Sequence, residues 1–128
     1  MASRYDLHHW DNSHGKNWII LALCATKNHI FLVYDNQTPV ATFQTRKVNK
    51  SFLFQKLATL PEFSGKGIGS FCINEIERLA RAESCKEVVC EVYDRSKHAE
   101  NFYKHRGYVV YGEAGTLKYR ELKLRKEL

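Results

Sequence analysis

A chain of 128 residues is long enough to bury a core without disulfide or metal staples, and short enough to read as one domain over 1–128. Hydrophobic residues at 44% and aromatics at 12% exclude a disordered segment. The formal net charge of +6 suits an anionic partner, either a phosphate-bearing small molecule or nucleic acid. Lysines and arginines are scattered singly except at the carboxyl end, which favours a solvated basic surface over a nucleic-acid stripe.

Residues 1–17 are polar. His8, His9, Asp11 and His14 are all metal-ligand types, but their spacing fits no ligand set, so a polar lead-in without metal is expected. The apolar run Trp18–Ala25 admits two readings. A helix capped by Asp11 or Ser13 would carry Trp18, Ile19, Ala22 and Leu23 on one face, and a buried strand would use the same residues. The run is too short to span a bilayer, and no basic-then-apolar leader precedes it. Cys24, Cys72, Cys85 and Cys90 form no Cys-x-x-Cys pair, as expected of free thiols in a reducing compartment. The expected location is cytoplasmic, with no membrane partner.

Three extended runs follow: Ile30–Tyr34, Val40–Thr45 and Phe52–Thr59, separated by Asp35-Asn36-Gln37-Thr38-Pro39 and Val48-Asn49-Lys50-Ser51. β-branched and aromatic runs between turn residues predict an antiparallel meander. Its last strand runs into Pro61 and then Gly65-Lys66-Gly67-Ile68-Gly69. Glycines at this density let several backbone N–H groups converge on one point, and the helix that follows adds its unpaired N–H groups and positive dipole end. That chemistry suits a phosphate or pyrophosphate; a glycine-softened turn is the plainer alternative. The spacing matches neither Gly-x-x-x-x-Gly-Lys-Ser/Thr nor Gly-x-Gly-x-x-Gly.

Ile68, Cys72, Ile76 and Leu79 mark the buried face of a helix to about Ala82, with Glu75, Glu77, Arg78 and Arg81 off that stripe and solvated. Val88–Tyr93 is almost uninterruptedly apolar, which predicts a strand covered on both faces and paired in parallel with the strand before the loop. The glycine loop then lies at the carboxyl end of that earlier strand, where α/β sheets collect ligands. Glu91 is the one carboxylate inside the predicted buried strand; it reads either as a general base or as the partner of a nearby Lys or Arg. A helix starts near Ser96, with Asp94 or Ser96 as N-cap, carries Ala99, Phe102, Tyr103 and Arg106 on one face, and ends at Gly107. Tyr108–Tyr111 reads as a strand and Gly112–Gly115 as a turn. The last strand changes phase between Tyr119 and Leu122, which predicts a bulge there.

The stretch from Leu57 through Ser64-Gly65-Lys66-Gly67-Ile68-Gly69 resembles the acetyl-coenzyme A loop of the GNAT N-acetyltransferases, whose signature is Arg/Gln-x-x-Gly-x-Gly/Ala. Ser96 to Tyr108 resembles the second GNAT signature: Asn-x-x-Ala, then Tyr, then Gly-Phe. Two signatures in order, separated by a helix and a strand, are more specific than either alone. The resemblance covers roughly Phe52 to Gly112 and departs at Ser64, where Arg or Gln is usual, and at Ser96, where Asn is usual.

The resemblance implies an α/β fold of the α+β type. Its sheet is mixed and mostly antiparallel, with a central parallel strand–helix–strand unit, helices on both faces, and the amino-terminal strand and helix truncated. It implies acetyl-CoA as co-substrate and no metal. Backbone groups of Ser64, Gly65, Lys66, Gly67, Ile68, Gly69 and Ser70 would hold the pyrophosphate. Ala58 and Thr59 would offer backbone groups to the pantetheine and the acetyl carbonyl, and Ser96 a short polar contact. Tyr103, which would otherwise read as a core aromatic beside Phe102, would protonate the leaving thiolate. The implied function is direct acetyl transfer to an amine of an unidentified acceptor, a small molecule in preference to a protein. Nucleic acid is disfavoured as a partner and homodimerisation is left open. The rivals are a catalytically idle acyl-CoA-binding or regulatory domain on the same scaffold, and a small basic nucleic-acid-binding domain.

Overall fold

The computed structural model describes residues 4–11, 17–24, 29–63 and 67–128, and before residue 25 it describes the side chain of Ile20 alone. The chain groups into two compact units: Met1–Arg46 with Phe54–Ile76, and Lys47–Leu53 with Glu77–Leu128.

In the first unit the strands hydrogen-bond in the order β1-β2-β3-β4-β5. β1 (Arg4–Asp11) and β2 (Asn17–Cys24) pair antiparallel from Arg4↔Cys24 to Asp11↔Asn17. The run at Trp18 is therefore a strand rather than a helix, and a strand occupies the stretch expected as a polar lead-in. The physical reason is two-sided pairing: β2 has β1 on one edge and β3 (His29–Asp35) on the other, so its apolar residues sit in a central strand. His8 and His9 lie within β1, Asp11 ends it, and His14 lies outside the described residues. β3 and β4 (Thr38–Val48) form the expected hairpin, turning at Asn36 in the left-handed region (φ 58°), which Asn tolerates better than most residues. Phe31 and Phe43 face each other in register and stack at 4.8 Å, next to buried Val33 and Val40. The first part of α1 (Ile68–Ala82) adds Ile68, Cys72, Ile73 and Ile76 to this core. Burial pushes the Cys72 thiol up to about 12, which keeps it an uncharged packing residue.

In the second unit the order is β5-β6-β8-β7. The start of β5 (Ser51–Thr59) runs parallel to β6 (Glu87–Tyr93), from Ser51↔Glu87 to Leu53↔Val89, with α1 lying between the two in sequence. This is the expected strand–helix–strand unit. β6 pairs antiparallel with β8 (Arg120–Glu127), and β8 with the edge strand β7 (Val109–Gly115). The bulge falls at Tyr111 in β7 rather than in the last strand, β7 extends through the predicted turn to Gly115, and Tyr119 lies in the connection just before β8.

Two helical glutamates correct the expectation of a solvated face. Glu75 is only 6% exposed and Glu77 only 5%. In the second unit Tyr108 donates its hydroxyl to Glu77 Oε2 at 3.0 Å, and Lys126 Nζ donates to Oε1 and Oε2 at 3.1 and 3.2 Å. A carboxylate is tolerated there because both oxygens are satisfied.

α2 (Lys97–His105) ends in a Schellman motif, with Tyr108 N–H donating to the Tyr103 carbonyl and Gly107 N–H to that of Lys104, both at 3.1 Å. Gly107 sits at φ +96° and Gly115 at φ +101°. A Cβ at Gly107 would touch only the flexible end of Lys126, at 3.4 Å, whereas at Gly115 it would lie 2.2 Å from the Tyr119 carbonyl oxygen. Gly107→Ala should therefore cost roughly 1–2 kcal/mol, the left-handed penalty alone, and Gly115→Ala distinctly more. Thermal melts of the two variants check this ranking, and equal melting temperatures would contradict it.

Candidate functional site

The first unit carries a bend in β5 that the sequence does not announce. Phe52 and Phe54 are buried in alternation, Gln55 and Lys56 are both exposed, and the less exposed positions then resume at Leu57 and Thr59. Two exposed residues in succession shift the phase by one, and Lys56 has φ 56°, the left-handed region inside a strand. This is the geometry of a β-bulge, which re-aims the residues beyond it. Ala58 is exposed and Thr59 half-buried in that re-aimed end. Lysine carries no left-handed preference, so no residue-type signal marked the position.

Beyond β5, the Leu60 N–H donates to the Val40 carbonyl at 2.9 Å, and Pro61–Phe63 forms a single 3-10 turn. Ser64, Gly65 and Lys66 lie outside the described residues. Gly67 follows at φ +89°, and a Cβ built there would meet no heavy atom within 4 Å. The first intrahelical bond of α1 runs from Phe71 N–H to the Gly67 carbonyl at 2.9 Å, so the N–H groups of Gly67, Ile68, Gly69 and Ser70 belong to the turn that has no intrahelical acceptor. Ile68 is buried and fastens the helix start, while Gly69 and Ser70 are half-exposed. A left-handed glycine with open space at its Cβ position, leading into amides without an intrahelical acceptor, is a cradle that fits a pyrophosphate.

The second unit holds the remaining candidates. Ser96 occupies the N-cap position of α2, accepting the Glu100 N–H on its carbonyl at 3.0 Å, but its hydroxyl does not cap the helix. Tyr103 is buried; its ring meets Phe102 and Tyr108 edge-on at 5.3 and 5.7 Å. Its carbonyl accepts both the Arg106 and the Tyr108 N–H. Glu100 is clasped by Lys104 and Lys97, which hold its carboxyl below the usual range and firm the helix surface. Glu91 departs from expectation. The face of β6 formed by Val88, Cys90 and Val92 is buried throughout, but on the opposite face Val89 is buried and Glu91 exposed, with Lys123 directly across the β6–β8 ladder. The parallel ladder with β5 extends only to Leu53↔Val89, so Glu91 lies beyond the paired part of that edge. The burial that recommended Glu91 as a base is absent.

The family profile described as the acetyltransferase (GNAT) family matches residues 2–108. The chain belongs to that family. The GNAT fold recurs in solved structures with low sequence identity. One is the PaiA N-acetyltransferase of Thermoplasma acidophilum in complex with coenzyme A, at TM-score 0.72 and 17% identity, covering 80% of this chain and 62% of the other. The chain thus spans slightly less than two thirds of that neighbour. Another is a GNAT family acetyltransferase of Elizabethkingia anophelis with acetyl-CoA bound, at TM-score 0.71 and 14% identity, covering 80% and 77%. A third is the ribosomal-protein-S18-alanine N-acetyltransferase of Escherichia coli, at TM-score 0.71 and 14% identity, covering 81% and 71%. No curated protein matches the chain in sequence. Among the described residues no cluster of His, Cys, Asp or Glu is placed to hold a metal ion, and no helix is long and apolar enough to cross a membrane.

Within this GNAT chain the bulge at Lys56 is open to test. Lys56→Gly should leave the melting temperature unchanged or raise it, because glycine adopts φ 56° without penalty. Lys56→Val should lower stability by roughly 1–2 kcal/mol or more, since a β-branched side chain resists the left-handed region. Equal melts for both variants would mean that β5 is regular in solution.

Proposed function

We propose that the protein catalyses acetyl-CoA-dependent transfer of an acetyl group directly to an amine, with residues 1–128 acting as one N-acetyltransferase domain. The observation that carries this reading is the open left-handed cradle at Gly67 leading into the amides of α1, found at the position of the acetyl-CoA loop in a chain of the GNAT family. When bound, acetyl-CoA supplies an activated thioester carbonyl.

The rest falls to the chain. Backbone N–H groups from Gly67 to Ser70, with Ser64, Gly65 and Lys66 of the same loop, donate to the pyrophosphate oxygens. Most of that grip comes from main chain, so serine at position 64 removes a covering arm without removing the cradle. Ala58 and Thr59, beyond the bulge, present backbone groups to the pantetheine and the acetyl carbonyl. The hydroxyl of Ser96, not spent on capping, offers a short polar contact to the same co-substrate. The phenol of Tyr103 protonates the departing thiolate; phenols are ordinarily protonated at neutral pH, so no tuning is required. Glu91 is given no part as the base. The acceptor is proposed to be a small neutral or acidic amine, since a net charge of +6 opposes accumulation of polycations.

Two substitutions test the assignment. At Gly67 no protein atom would meet a new Cβ, so Gly67→Ala should cost only the conformational penalty in stability. Its affinity for acetyl-CoA, measured by calorimetry, should fall severalfold or more, because the methyl would occupy the phosphate's approach. Unchanged affinity in the folded variant would place the cofactor elsewhere. Tyr103→Phe keeps the ring and removes the proton. Thiol release with pooled amines should drop ~10²–10⁴-fold in kcat, the usual worth of a positioned acid, while acetyl-CoA still binds. Binding without thiol release in the parent protein would instead identify an idle acyl-CoA-binding domain.

A further inference from the structure

Tyr108 follows Gly107 at the position where the GNAT signature usually has phenylalanine. The added hydroxyl is not wasted. Tyr108 is 1% exposed, and its O–H reaches Glu77 Oε2 at 3.0 Å. Glu77 is itself held by Lys126 through both oxygens, at 3.1 and 3.2 Å. The Lys126 stem runs beside Gly107, and its ammonium lies 5.9 Å from the centroid of the Tyr108 ring. Three elements of the second unit thus converge on one carboxylate: α1, which carries Glu77, strand β8 and the residue that closes α2.

Tyr108 in turn touches Tyr103 in two ways. Its N–H donates to the Tyr103 carbonyl at 3.1 Å, and its ring packs edge-on against the Tyr103 ring at 5.7 Å. A fixed Tyr108 therefore fixes both the main chain and the ring plane of Tyr103. With phenylalanine at 108 the ring contact would survive, but the ring would lose its tether to Glu77 and gain freedom to shift. Reaction rates respond steeply to such shifts, since displacement by about 1 Å can change a rate by about 10²-fold.

We propose that Glu77, Lys126 and Tyr108 form a positioning network that holds the phenol of Tyr103 in its productive orientation. The proposal rests on the reading of Tyr103 as the proton donor. The three residues are positioning residues and none is assigned contact with substrate.

The test is a double-mutant cycle with a spectroscopic arm. Tyr108→Phe should lower kcat on the order of 10-fold to 100-fold with KM for acetyl-CoA unchanged. In a Tyr103→Phe background it should change kcat no further, because there is no proton left to position. Glu77→Gln, which keeps an acceptor for the Tyr108 hydroxyl, should retain more kcat than Glu77→Ala. A role in stability alone would lower the melting temperature of Tyr108→Phe while leaving kcat unchanged, and that result overturns the proposal. So do multiplicative losses in the double variant, or full turnover by Tyr103→Phe. The second arm uses protein labelled with 3-fluorotyrosine, whose Tyr103 ¹⁹F resonance is assigned by its disappearance in Tyr103→Phe. One sharp line should broaden or split in Tyr108→Phe; an unaltered line overturns the proposal. That line is read with or without turnover, so failure of the acetyl-transfer reading shows separately, as absent thiol release in the parent.

Discussion

The second unit is organised by a buried carboxylate that cannot be left alone. Glu77 sits near the middle of α1, 5% exposed, on a helix whose neighbouring core positions are Ile76 and Ala80. Breaking a fully buried ion pair by removing one partner costs roughly 3–5 kcal/mol; with the Lys126 side chain 26% exposed, the cost here falls toward the low end. That is still a large part of a small protein's total stability. Satisfying Glu77 therefore fixes where β8 brings Lys126 and where the end of α2 brings Tyr108. Burial, and next the Glu77 carboxylate, push the Tyr108 phenol far above its ordinary range, so it remains a hydrogen-bond donor throughout the neutral range.

Glycine is used for opposite purposes at the two helix termini. At the start of α1, Gly67 is left-handed in open space, where the lack of a side chain leaves an approach for something that is not protein. At the end of α2, Gly107 is left-handed within a closed Schellman motif, with the Lys126 stem beside it. The same φ range thus serves access at one position and termination at the other. The surroundings of each glycine, and not its conformation, tell the two apart.

The parts legible in the sequence were those whose signal is local. The hairpin from Ile30 to Thr45 has β-branched and aromatic runs around the turn Asp35-Asn36-Gln37-Thr38-Pro39, and the buried face of α1 shows in Ile68, Cys72 and Ile76. Residue type marks Gly107 as the C′ residue and leaves Asp94 or Ser96 for the N-cap, of which Ser96 takes the position. What escaped depends on distant partners. Trp18 to Ala25 fits helix or strand until β1 and β3 are known to flank it. Glu77 looks solvated until Lys126, 49 residues away, is placed beside it. Glu91 looks buried because its neighbours are apolar, yet it is exposed on the face opposite Val88, Cys90 and Val92. Lys56 gives no warning of a bulge, although adjacent Gln55 and Lys56 interrupt the alternation of β5 and were a weak trace of it.

The departures from the family signatures at positions 64 and 96 can be weighed by asking what kind of group each position supplies. In the proposed phosphate cradle the donors would be main-chain N–H groups, whose direction is set by the left-handed Gly67 and by Ile68, buried as the first residue of α1. On that reading a side chain at position 64 would add cover and would not create the cradle. At position 96 the main chain again does the structural work, since the Ser96 carbonyl, not its hydroxyl, anchors the first turn of α2. Serine is shorter than asparagine and reaches less far, but it is released from the capping duty that residues of its type usually perform. The serine at 96 therefore removes no group on which the first turn of α2 depends, because that turn is anchored by main chain.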